Sequence, residues 1–183
     1  MEMMILGIVS KHHQSIHPMS LTRDTLHKLC YLVDSTFYQK YEISMTGESY
    51  IHTQNGPVPI HFDESLDELI TDNRVSVSDS GIITPYETYR ARRDAVMDGP
   101  DLFQISMVHE FNHLAHHILP KPTQYENEII SEITSRYARI DPDRLEIVVK
   151  RDPGWKLSSE GQLIDYEYVF YREDEQEAFN DEE

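Results

Sequence analysis

Leu26-His27-Lys28-Leu29-Cys30-Tyr31-Leu32-Val33-Asp34 is the stretch on which the fold turns. Leu26, Leu29, Cys30, Val33 and, one turn on, Phe37 recur at the spacing that lines one face of a 3.6-residue helix, so this segment is a helix with an apolar face in the core. Thr22 or Ser20 stands where a side-chain oxygen would accept a free backbone N–H at its start. Upstream, Met3 to His13 forms a first short helix that ends before Pro18.

Downstream the period shortens. Ile43 and Met45, then Tyr50, Ile51 and Thr53, read as a hairpin around Thr46-Gly47-Glu48, with Gly47 supplying a positive φ. Asn55-Gly56-Pro57-Val58-Pro59 is expected to stop regular structure as a rigid corner, because proline removes donors and restricts its predecessor. Helical spacing returns at Phe62, Leu66, Leu69 and Ile70, and Val75, Val77, Ile82 and Ile83 around Ser80-Gly81 read as two short strands joined by a turn.

From Asp101 to Leu119 the residues Met107, Phe111, Leu114 and Ile118 share a helical face, which Pro120 and Pro122 close. Thr123 and Glu126 form a capping box for a helix with Ile129, Ile130, Ile133 and Tyr137 facing inward. Asp141-Pro142 opens another helix through about Val149, with Asp as cap and Pro at the first position. The aromatic segment with Tyr166, Tyr168, Phe170 and Tyr171 has no assigned type. The fold class is therefore α+β, mainly α: a compact helical domain with a small antiparallel sheet or hairpin over residues 1–172, followed by an acidic C-terminal tail at 173–183.

Composition bounds the function. The 183 residues hold 33 acids against 16 bases, a net charge of −17 that repels a nucleic-acid backbone. The tail carries seven of those acids and no base, so most of the imbalance belongs to the domain itself. Such a charge solubilises the chain and steers it towards a basic partner. The single cysteine, Cys30, excludes an intrachain disulfide and lies on the apolar helix face, where it is a small buried hydrophobe. The apolar run Met3 to Val9 has no basic leader and is far shorter than the roughly 20 residues of a membrane span. A cytoplasmic protein that contacts neither nucleic acid nor membrane is expected.

Three motifs then stand in order: Lys28-Leu29, Tyr31 and Asp34 as K-L-x-Y-x-x-D; Thr46-Gly47 and Tyr50 as T-G-x-x-Y; and Gly56-Pro57-Val58-Pro59. With the helix Glu126 to Tyr137 and the segment Leu145 to Trp155, ending Arg151-Asp152-Pro153-Gly154-Trp155, the chain resembles the Panacea (SocA-like) antitoxin domain over about Thr22 to Tyr168. Lys150 stands where members of that family often carry a histidine, so no role of that histidine carries over. The resemblance implies a binding protein, without cofactor or catalysis, that neutralises a cognate toxin encoded beside it. Gly47, Gly56, Pro57 and Trp155 serve the fold itself, the glycines by backbone freedom, Pro57 by restriction and Trp155 by volume. Partner binding is placed at the corner Asn55, Gly56, Pro57, Val58 and Pro59, because a rigid corner presents side chains at little ordering cost.

The rival reading is chemical. His109-Glu110-Phe111-Asn112-His113 matches H-E-x-x-H, in which two imidazoles one turn apart hold zinc and the glutamate deprotonates bound water. The extended motif is absent, since His116 and Leu119 occupy the positions of its Gly and third His. Glu128 on the next helix is the available carboxylate ligand, which makes His109, His113 and Glu128 the metal set with Glu110 as base. A polar His/Glu face opposite a Met/Phe/Leu/Ile stripe is also what any surface helix shows, and that ordinary reading is adopted. A zinc-dependent hydrolase, or an adaptor that delivers a partner to a protease, stays as the alternative. Arg90-Ala91-Arg92-Arg93 is a small basic patch read as a solvated turn.

Overall fold

The computed structural model describes residues 1–86 and 122–172. The expected helix over 101–119, the His109 to His113 motif, the Arg90 to Arg93 patch and the 173–183 tail lie outside these residues. The element order is α1 (Glu2–Gln14), α2 (Arg23–Tyr41), β1 (Tyr50–Thr53), β2 (Gly56–Pro59), α3 (Phe62–Thr71), β3 (Val75–Val77), β4 (Ile83–Pro85), α4 (Gln124–Tyr137), α5 (Pro142–Arg151), α6 (Pro153–Leu157) and a 3-10 helix (Tyr166–Tyr171). This is the expected mainly-α α+β class, with two antiparallel two-stranded sheets, β1-β2 and β3-β4, among the described residues.

Local capping chemistry sets the helix starts. Thr22 accepts from the Thr25 N–H at α2, Thr123 and Glu126 close a reciprocal capping box at α4, and Asp141 caps α5 with Pro142 in its first turn. α2 is the axis of the core. Its apolar face, Leu26, Leu29, Cys30, Val33 and Phe37, is buried as the period requires, and α1 and α4 pack against the helix.

The opposite face of α2 is buried as well, which one-sided periodicity does not foretell. Every residue from Lys28 to Ser35 is buried, because β2, α5 and the 3-10 helix also pack on α2. Lys28, Tyr31, Asp34 and Ser35 thus become interior polar groups that require partners.

Two expectations are corrected. Ile43 to Met45 forms no strand, and the 42–49 loop folds onto Asp34, which accepts from Ser44 Oγ at 3.1 Å, from Met45 N at 2.8 Å and from Thr46 Oγ1. The Met45 N–H, which a ladder would have used, satisfies a buried carboxylate instead; Gly47 does hold a positive φ of 69°. The hairpin lies one segment later, and Gly56-Pro57-Val58-Pro59, expected to break regular structure, is its second strand. β1 and β2 pair as Tyr50–Pro59, Ile51–Val58, His52–Pro57 and Thr53–Gly56.

The prolines fit for a geometric reason. The Ile60 N–H donates to Ser49 O at 3.0 Å, and antiparallel ladders alternate bonded with non-bonded pairs. Tyr50–Pro59 and His52–Pro57 are then non-bonded pairs, whose N–H positions point away from the partner strand. Pro57 and Pro59 forfeit no ladder bond, and they leave the outer edge of β2 without donors at those positions. On the other side of β1, residues 161–164 run antiparallel: His52 N donates to Gln162 O at 2.9 Å and Ile164 N to Tyr50 O at 2.8 Å.

α3 buries Phe62, Leu66 and Leu69 of the expected apolar set while Ile70 stays exposed, and the β3-β4 pair turns through Gly81 at φ 76°. His27 on α2 sits edge-on to Phe62, ring centroids 4.2 Å apart, with Nε2 buried and unpartnered among the described residues. Burial lowers its pKa to about 4, outweighing the nearby Asp24 and Asp63, while Arg23 and Lys28 push the same way as burial. A folded-state pKa below the unfolded value means that the unfolded chain binds the proton first. His27 therefore contributes no penalty above about pH 6.5 and progressively destabilises the fold as pH falls to about 4. Urea unfolding midpoints recorded across that interval should slope less in His27→Leu than in the parent chain.

Candidate functional site

The motif residues on the polar face of α2 each reach a different distant segment. Lys28, at the bottom, extends its chain under the hairpin: a Cβ on Gly56 would lie 3.4 Å from Lys28 Cε and 3.3 Å from Val149 Cγ2, so the strand rests directly on both. Gly56 also holds φ 123°, a backbone region that L side chains rarely adopt. The buried Lys28 ammonium pairs with Asp24 one turn back and stands 3.6 Å from Glu146 of α5. The Glu146 carboxyl is held below the usual range by its hydrogen bond from Lys150, and Lys28 adds to that.

Tyr31 occupies the middle. Its hydroxyl donates to Asp152 Oδ1 at 2.6 Å, and the Gly154 N–H donates to the same oxygen at 2.9 Å. Asp152 Oδ2 takes Arg172 Nε at 2.6 Å, and that guanidinium also donates to Ser35 Oγ at 2.7 Å and Gln39 Oε1 at 3.1 Å on α2. Residue 154 is glycine because any Cβ there would meet the Tyr31 hydroxyl at 2.3 Å.

Asp34, fully buried, is the top of the series. Besides the three donors from the 42–49 loop it accepts from the Tyr166 hydroxyl at 2.9 Å, with the Tyr50 hydroxyl at 3.4 Å. Burial, reinforced by the adjacent carboxylates, raises the pKa of Tyr31, Tyr50 and Tyr166, so all three hydroxyls keep their protons and remain donors. Burial likewise raises the Cys30 thiol, which stays protonated in the core. Trp155 stacks on His52 with centroids 4.1 Å apart, donates from Nε1 to Thr53 O at 3.2 Å, and receives the Lys150 ammonium 5.6 Å above its ring.

This network spends its polar groups on one another and faces inward. Of the five corner residues, Gly56, Pro57 and Pro59 are buried against the helices, Val58 is half-buried and Asn55 is exposed at the hairpin turn. Glu128 is exposed on α4, and His109, Glu110 and His113 lie outside the described residues. Among the described residues no three His, Cys, Asp or Glu side chains are grouped to hold a metal, and no helix is long and apolar enough to cross a membrane. Asp152 and Arg172, which sequence motifs did not single out as a pair, are joined only by the fold. The available signal was the i, i+3, i+7 spacing of Lys28, Tyr31 and Ser35, a polar stripe opposite an apolar one.

Residues 26–156 match the family model described as antitoxin SocA-like, Panacea domain. The chain belongs to this family. The match covers the whole polar series on α2 and the segments of the hairpin and α6 that lock onto this helix. It stops short of Tyr166 and Arg172, which complete the hydrogen bonding of Asp34 and Asp152 from outside the matched Panacea region. No curated protein and no solved structure matches this Panacea chain.

Proposed function

We propose that this Panacea-domain protein is an antitoxin that neutralises a cognate toxin, the product of an adjacent gene, by direct protein–protein contact in the cytoplasm. Membership of an antitoxin family over residues 26–156 carries the reading. The inward-turned polar network agrees with it, since Asp34, Asp152 and Lys28 are committed to internal partners rather than presented to a substrate. The charge of −17 favours encounter with a basic partner and disfavours nucleic acid. The contact requires neither metal nor catalysis, and the exposed hairpin turn at Asn55 together with the half-buried Val58 of β2 belongs to the contacting region.

Co-expression with the neighbouring gene product tests this. The neighbour should arrest growth alone, be rescued by this chain, and co-purify with it as a complex. A harmless neighbour, or rescue without a complex, overturns the reading. A fall in the neighbour's half-life on co-expression would instead assign the chain as an adaptor to a protease. One zinc per purified chain, with rescue lost in Glu110→Ala while the metal is retained, would move it to the hydrolase class.

A further inference from the structure

The three antiparallel segments 161–164, β1 and β2 form a small sheet with two unlike faces. Tyr50, His52, Pro57 and Pro59 point inward and are buried. Directly paired residues share a face, so the bridge Leu163–Ile51 and the pair Ile51–Val58 place three aliphatic side chains in one row on the other face. Ile60, whose N–H bonds Ser49 O, extends the row by one position. Leu163 is 60% and Ile60 45% exposed, and Ile51 and Val58 are half-buried. Neither Ile51 nor Val58 belongs to the core or to the half-buried hydrophobics packed against it. This row is therefore an apolar surface without a covering element among the described residues.

Acids border it. Asp165 follows two residues after Leu163 on the same strand direction and is exposed, and Glu160 reaches the hairpin turn, 3.5 Å from Gln54 Nε2. An apolar centre with an acidic rim complements a partner patch that is apolar within and basic at its border. Strand addition at β2 is disfavoured because Pro57 and Pro59 occupy the outward-facing N–H positions of that edge.

We propose that the face formed by Leu163, Ile51, Val58 and Ile60 is the surface on which the cognate toxin docks, through an apolar patch bordered by Lys or Arg and by side-chain contact rather than strand pairing. This rests on the reading of the chain as a toxin-binding antitoxin. A buried aliphatic anchor at such a centre accounts for on the order of 100-fold in affinity.

The test uses the purified full-length chain and the neighbouring gene product. Leu163→Glu, at a largely exposed position, should leave the thermal unfolding midpoint unchanged, weaken binding about 100-fold and abolish rescue; Leu163→Met should retain both. Ile43→Glu, on an equally exposed isoleucine outside that row, should bind as the parent does. Glu160→Lys should slow association and flatten its dependence on salt. Parent-like binding by Leu163→Glu overturns the docking surface while leaving the antitoxin reading intact. Failure of the unsubstituted chain to bind the neighbour overturns both. If the chain alone is a dimer that Leu163→Glu converts to a monomer, the face is occupied by a second copy and the proposal falls.

Discussion

Asp34→Ala is expected to lower the unfolding free energy by about 3–5 kcal/mol, enough to leave a large fraction of the protein unfolded at 37 °C. The alanine removes an acceptor on which Ser44, Met45, Thr46, Tyr50 and Tyr166 converge. Tyr166 has a second acceptor in Glu48 O at 2.9 Å, but Met45 N has none to turn to among the described residues and Tyr50 lies 1% exposed. Each orphaned buried donor costs about 1–3 kcal/mol, partly offset by the desolvation recovered on deleting a buried charge. Asp34→Asn should fall between, because the amide oxygen can keep the Met45 N–H on the Oδ1 side while the rotatable hydroxyls on the Oδ2 side must reverse to accept from the amide NH2. Urea denaturation followed by circular dichroism ranks the three proteins; equal midpoints for Asp34→Ala and the parent would show that the carboxylate does not organise the loop.

Arg172→Ala is expected to cost about 3 kcal/mol. The Asp152 side chain is 5% exposed and that of Arg172 19%, so the pair is mostly removed from water and truncation leaves a buried anion facing only the Tyr31 hydroxyl and the Gly154 N–H. Lysine should restore little, since one ammonium cannot address Asp152, Ser35 and Gln39 together as the guanidinium fork does. In an Asp152→Asn background the same alanine substitution should cost clearly less, giving a coupling energy of about 1–2 kcal/mol in a double-mutant cycle. Additive effects would mean that the two residues act independently.

The features legible in the sequence are those decided by neighbours along the chain. Thr22, Thr123 and Asp141 announce helix starts because a cap needs only the next three residues, and the apolar periods of α2 and α4 mark the faces that are in fact buried. The polar face of α2 was not legible, since Tyr31 and Asp34 find partners 121 and 132 residues away. The hairpin was assigned one segment early for a related reason. Whether a proline breaks a strand depends on which way its missing N–H would point, and that is fixed only once the partner strand is in register. The Asn55 to Pro59 segment was recognisable as a Gly-Pro-defined element, but that Gly56 lies against Lys28 and Val149 rather than standing free was not. The unpaired aliphatic row is invisible in sequence because its members come from three separate segments.

The distance between Asp34 and Tyr166 also has a consequence in time. A ribosome adding roughly 5–20 residues per second places the last donor of that carboxylate on the order of ten seconds after the carboxylate itself. Asp152 likewise waits a further 20 residues for Arg172. Until Tyr166 and Arg172 arrive, Asp34 has the nearby donors of the 42–49 loop and Asp152 lacks its guanidinium, so the hydrogen bonding of both carboxylates is completed only once residues 166–172 have emerged.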